Sequence, residues 1–129
     1  MSIELSMLAW SALLCLLLAF PYTLGFIAQR GLYSVAGNRE DFPAAGGWIG
    51  RSHRAHLNMV ENLVPFAALV LVAQLAGKND AMTAAGAQLF FWARLGHAIV
   101  YTAGIPWART IAYFGGVVGM LVILWRILA

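Results

Sequence analysis

Residues 51–76 read RSHRAHLNMVENLVPFAALVLVAQLA, and this stretch decides the fold. Its first half is studded with Arg51, Arg54, Asn58, Glu61 and Asn62, while its second half, from Phe66 onward, is almost wholly apolar. At 100° per residue Arg51, Arg54, Asn58, Glu61, Asn62 and Pro65 fall within an arc of about 100°, whereas His53 and His56 point elsewhere. The pattern predicts a membrane helix over about 50–76, with one polar stripe descending from one end and Gly77 as its C-cap.

The rest of the chain agrees with a membrane setting. Of 129 residues, 62% are hydrophobic and 10% charged, against roughly 25% charged in soluble domains. That excludes a soluble globular domain, a disordered tail and a nucleic-acid binder. With about 20 apolar residues per crossing, the length accommodates four transmembrane helices and no second domain. The expected helices span about 3–28, 50–76, 81–103 and 107–128, giving a single all-α domain over 1–129, a four-helix bundle protomer.

In the first helix, Pro21 and Gly25 predict a kink or an early end. No Lys or Arg precedes this helix, Glu4 stands there instead, and its apolar run exceeds the core of a cleavable signal, so a retained helix is expected. Residues 29–49 carry Gly31, Gly37, Asn38, Pro43, Gly46 and Gly47 among Arg30, Arg39, Glu40 and Asp41, the composition of an extramembrane or re-entrant loop. Asp80 is the expected N-cap of the third helix and Gly104-Ile105-Pro106 its stop. In the fourth, Gly115 and Gly119 form a small-xxx-small pair suited to close helix packing.

The arginines orient the bundle. Arg30, Arg39, Arg51, Arg54 and Arg109 gather at one end, while Lys78 and Arg126 stand at the other. By the positive-inside rule the first and third loops are cytoplasmic and both termini are not. Trp10, Trp48, Trp107 and Trp125 fall near helix ends, as an interfacial belt requires. The single cysteine, Cys15, reads as a small buried hydrophobe.

The third helix carries a matching stripe, with Arg94, His97 and Tyr101 at spacings of three and four. An Arg facing lipid costs roughly 2.5–3.5 kcal/mol, so the two stripes should meet each other or a wet cavity. A Glu61–Arg94 ion pair that only fixes helix register is one reading. The surplus of Arg51, Arg54 and Arg109 over Glu61 points instead to an anionic ligand, with lipid headgroups as the alternative. No HExxH or CxxC metal spacing is present, so no metal is expected. A haem between His56 and His97 is geometrically conceivable.

RAHLNMVENLVPF (54–66) resembles the second-helix signature of the MAPEG superfamily, membrane-associated proteins in eicosanoid and glutathione metabolism. ARLGHAIVY (93–101) is similar to the third-helix segment of its microsomal glutathione transferase branch. The resemblance implies a homotrimer that binds glutathione between neighbouring subunits and passes its thiol to a lipophilic electrophile or hydroperoxide reaching it through membrane lipid. It makes Arg54, Asn58, Glu61, Arg94 and Tyr101 glutathione contacts, with His56 at a position that is a contact in some members, His97 where some synthases of the family have a tyrosine, and Arg51 beside them on the cationic stripe. It puts Arg109 near the position of an arginine that stabilises the glutathione thiolate, with Tyr101 as a hydroxyl donor. Arginines suit the two carboxylates of glutathione and Glu61 its ammonium, while a cation beside the sulfur favours the nucleophilic thiolate. The alternatives are a non-catalytic lipid-binding or scaffold protein of the same fold, and a small four-helix transporter. Against the transporter, the first helix has no acidic residue within its core.

Overall fold

The computed structural model describes residues 1–37 and 46–129. Its described helices are α1 (Ile3–Arg30), α2 (Leu32–Ala36), α3 (Gly47–Leu75), α4 (Ala81–Ala103) and α5 (Pro106–Leu128). The four long ones form an up-down-up-down bundle. At one end Ser2 donates to Gln74 at 2.8 Å, Thr83 donates to Glu4 at 2.5 Å and Arg126 pairs with Asp80 at 2.6 Å. At the other, Gly25 of α1 lies against Trp48 and Ile49 of α3, and Arg51 of α3 reaches the carbonyl of Thr102 in α4 at 3.0 Å.

Two sequence expectations change. First, α1 continues through Pro21 to Arg30 and does not end early; proline removes one backbone donor, and the surrounding apolar turns carry the helix past it. Second, the expected loop 29–49 is shorter. Residues 29 and 30 belong to α1, residues 47–49 to α3, and Leu-Tyr-Ser-Val-Ala, free of breakers after Gly31, forms α2. Val35 of α2 is buried with Phe26 and Ile49, which holds the short helix against the bundle. Arg39, Glu40, Asp41, Asn38 and Pro43 lie outside the described residues.

The caps follow the sequence closely. Gly77, at φ +67°, ends α3 one residue beyond its cap Ala76, and Lys78 N–H closes on the carbonyl of Ala73 at 2.9 Å in a Schellman turn. Asp80 caps α4 through the Met82 and Thr83 N–H groups, both at 2.9 Å, and the Thr83 hydroxyl accepts from the Asp80 N–H at 2.8 Å. Gly104, at φ +83°, turns the chain, and Pro106 opens α5.

The core is built at the centre of the bundle, where Phe66 and Phe90 stack at 3.8 Å between α3 and α4 with Met59, Val70, Ala87 and Ile123 around them. The closest helix approach is α4 on α5. A Cβ on Gly119 would stand 2.5 Å from the carbonyl oxygen of Gly86, so only two facing glycines permit this crossing. Gly119 of the expected small-residue pair makes that contact, whereas Gly115 is half-buried beside Ala93 and Gly116 holds the next buried position.

Outside, the bundle is apolar, with Leu16, Leu17, Phe20, Leu24, Ile111, Phe114 and Leu121 more than half or nearly half exposed. α1, α3 and α5 are each long and apolar enough to cross a membrane. α4, at 23 residues, is about 34 Å long and so reaches as far as the others need to, but Gln88, Arg94 and His97 lower its apolarity.

Candidate functional site

The two polar stripes meet where α3 faces α4. Arg94, 1% exposed, donates from Nη2 to the Asn58 side-chain oxygen at 2.5 Å, and Asn62 Nδ2 donates to the same oxygen at 3.3 Å. Asn62 also donates to the Asn58 backbone carbonyl at 2.8 Å, so one asparagine steadies the other a turn away. The expected Glu61–Arg94 pair does not form. Glu61 is exposed on α3, and the one ion pair among the described residues is Arg126–Asp80. Glu61 stands nearly one turn beyond Asn58 and about 60° round the α3 axis, and it is Asn58 that meets the Arg94 guanidinium.

Arg94 is a buried cation with more donors than partners. Among the described residues its Nε and Nη1 have no acceptor, and Nδ1 of the neighbouring His97 has no hydrogen-bond partner. Gly116 makes room for it, since a Cβ there would stand 3.2 Å from Arg94 Cδ. Unpaired donors on a buried guanidinium are unfavourable unless an acceptor joins them.

One helical turn further toward the arginine-rich end, a cavity of about 260 Å³ opens between α3, α4 and α5, lined by Asn58, His97, Tyr101, Arg109, Thr110 and Tyr113. Arg109 lies over the Tyr101 ring, 4.8 Å from its centre, and Arg54 approaches the same ring at 6.0 Å. His97 packs edge-on to Tyr101 at 5.4 Å and tilted to Tyr113 at 6.4 Å. Arg109 has no carboxylate partner among the described residues. The result is a half-open, aromatic-walled cleft with a cationic rim.

Asn58, Arg94, His97, Tyr101 and Arg109 are thus brought together, with Arg54 at the edge. Three expected site residues are not: Glu61, exposed on α3, and Arg51 and His56. Arg51 is taken by the carbonyl of Thr102 and caps the C-terminal end of α4. His56 faces α1, its Nδ1 within 2.9 Å of the Tyr22 hydroxyl, while the His53 ring stacks on Tyr22 at 4.6 Å. His56 and His97 therefore face different helices, and no haem could be clamped between them in this packing. Among the described residues no three His, Cys, Asp or Glu side chains converge as a metal site would need. Thr110 and the Tyr22 layer had no signal in spacing, because both depend on which helices become neighbours.

Fold and cleft together define an all-α integral membrane protein with a cationic-rimmed cleft in its helix bundle. The model of the MAPEG family matches residues 7–129, and the chain belongs to that family. Similar curated proteins include microsomal glutathione S-transferase 1 of Homo sapiens, 35% identical over 69 residues, or 53% of this chain and 44% of the relative. The Mus musculus protein of the same name is 34% identical over 80 residues, 61% of this chain and 52% of the relative. The chain spans about half the length of the curated relatives it matches. No solved structure gives a significant match.

Proposed function

We infer that this protein is a membrane glutathione transferase, using the α3–α4–α5 cleft to bind glutathione and activate its thiol. The observation that carries the reading is Arg109 over Tyr101 at the cleft rim, a cation without a carboxylate beside a phenol. Arg54 would hold a carboxylate of glutathione, Asn58, held in place by the buried Arg94, would orient the backbone of the tripeptide, and Glu61 of the same α3 stripe would receive its ammonium. Family membership and the named relatives support glutathione as the co-substrate.

In this reading Arg109 favours the thiolate by placing positive charge beside the sulfur, and the thiol proton leaves to solvent through the open rim. The thiolate then attacks the electrophilic carbon of a lipophilic substrate, a C–S bond forms, and the leaving group departs with its bonding pair. With a lipid hydroperoxide the thiolate attacks the terminal oxygen, the O–O bond breaks, and the lipid leaves as an alkoxide that takes a proton; a second glutathione then converts the glutathione sulfenic acid to disulfide and water. Tyr101 donates a hydrogen bond to the developing anion. α4 is the fourth span, its Arg94 and His97 turned inward, and the arginine-rich end faces the cytoplasm with both termini opposite.

The test is a titration of glutathione into the detergent-solubilised protein, with binding read by calorimetry and thiolate by ultraviolet difference absorbance. Binding with a thiolate band that Arg109→Ala removes and Arg54→Ala weakens is expected. Absence of binding would overturn the reading and favour a non-catalytic membrane protein of the same fold.

A further inference from the structure

A second feature lies on the opposite side of α4 and shares no residue with the cleft. Between α1 and α4 an apolar groove of about 430 Å³ is open to the outside, lined by Leu14 and Leu18 of α1 and by Leu95, Ala98, Ile99 and Thr102 of α4. The two helices run in the same sense, with Glu4 beside Thr83, so the groove follows the bundle axis for about 10 Å. Ile99 is 62% exposed, so the open side faces whatever surrounds the bundle.

The groove ends where a cation stands. Arg51 donates through Nε to the carbonyl of Thr102, a groove residue, at 3.0 Å, and its guanidinium lies over Gly104, which a Cβ would bring within 3.2 Å of Nε. Nε alone is used. Both terminal nitrogens of Arg51 have no acceptor among the described residues, and no carboxylate pairs with it. Anchoring Nε on a helix C-terminus fixes the guanidinium plane and leaves two parallel donors, the fork that a phosphate accepts.

We propose that the α1–α4 groove holds one acyl chain of an anionic phospholipid whose phosphate is bound by Arg51. Charge complementarity commits the site to that occupant. Acyl chains surround the outer face of the bundle, the groove lies parallel to them, and an arginine at its end, at the level of the α4 terminus, stands where headgroups begin. The proposal does not depend on glutathione, because Arg51 is turned away from the cleft.

The experiment is native mass spectrometry of the protein released from vesicles of phosphatidylcholine and phosphatidylglycerol in equal parts. Phosphatidylglycerol should be retained in preference, and Arg51→Gln should reduce that preference about tenfold, the effect of losing one charge-assisted pair. Ala98→Phe, which fills the groove without touching the cation, should reduce retention of both lipids. In the unaltered protein, phosphatidylglycerol with a photoreactive acyl chain should label Leu95 and Ile99 above Leu121 and Leu124 of α5. Equal retention of the two lipids, preference unchanged in Arg51→Gln, or labelling spread evenly over α5 would each overturn it.

Discussion

Arg94 and Arg109 are both cations near the membrane interior, yet their surroundings give them different work. Arg94 is sealed into the bundle and depends on Asn58 for its one acceptor. Asn58→Leu should destabilise the protein by about 1.5–3 kcal/mol, the worth of a hydrogen bond to a charged group, read as a lower thermal midpoint in detergent. Asn58→Asp keeps an acceptor and should recover most of that stability. Arg109 is half-buried at an open rim, touching Tyr101 only through its ring. Its loss should leave the midpoint within about 0.5 kcal/mol of the unaltered protein while removing the glutathione thiolate band. A large drop in stability on Arg109→Ala would instead make it a structural arginine.

Among the helices, the α4–α5 crossing and the α4 cap are the features most open to test. Gly119→Ala would drive a Cβ onto the backbone of Gly86 and Phe90, at 2.5 and 2.9 Å, where neither neighbour can retreat. A loss of about 1–3 kcal/mol is expected from such overpacking. Gly115→Ala meets only the Ala93 methyl at 3.3 Å, and gains helix propensity, so it should be close to neutral. At the cap, the Thr83 N–H holds the Asp80 carboxyl below the usual carboxylate range, with help from Arg126 and the Met82 N–H. A depressed folded value means that the stabilisation is fully present above the unfolded value of about 3.9 and is lost as pH falls through the lower folded one. Thermal unfolding of Asp80→Asn should therefore lie below the unaltered protein at neutral pH and converge with it in acid; a constant gap down to the acid limit would refute this.

Across the whole molecule, the unsatisfied surface is on α3. Glu61 stands at the midpoint of a 29-residue helix, exposed, with no ion-pair partner among the described residues, and Arg54 is exposed two turns away. Left in lipid, charges near a helix centre would cost about 2.5–3.5 kcal/mol each on insertion scales. A neighbouring copy covering this face removes that cost, and the homotrimer implied by the family resemblance would supply one. Light scattering corrected for detergent should give about three times the protomer mass of 14.0 kDa, and Glu61→Leu, which makes the face compatible with lipid, should shift the population toward monomer. A monodisperse 14.0 kDa particle that still binds glutathione would rule the trimer out.

The four long helices, their caps at Gly77, Asp80 and Pro106, the arginine-rich end and the meeting of the Asn58 and Arg94 stripes were legible in the residues alone. Helical periodicity, turn chemistry and the penalty for a charge in lipid act locally, so residue order is enough to read them. Partner choice is not local. That Arg94 takes Asn58 and leaves Glu61 exposed, that Arg51 caps α4, that His56 turns to Tyr22, and that Gly119 meets Gly86 all depend on the rotation and depth at which one helix docks on the next. A rotation of one residue about a helix axis moves a side chain by about 100°. Only the packed bundle selects that angle, because burial and close packing are properties of several helices at once.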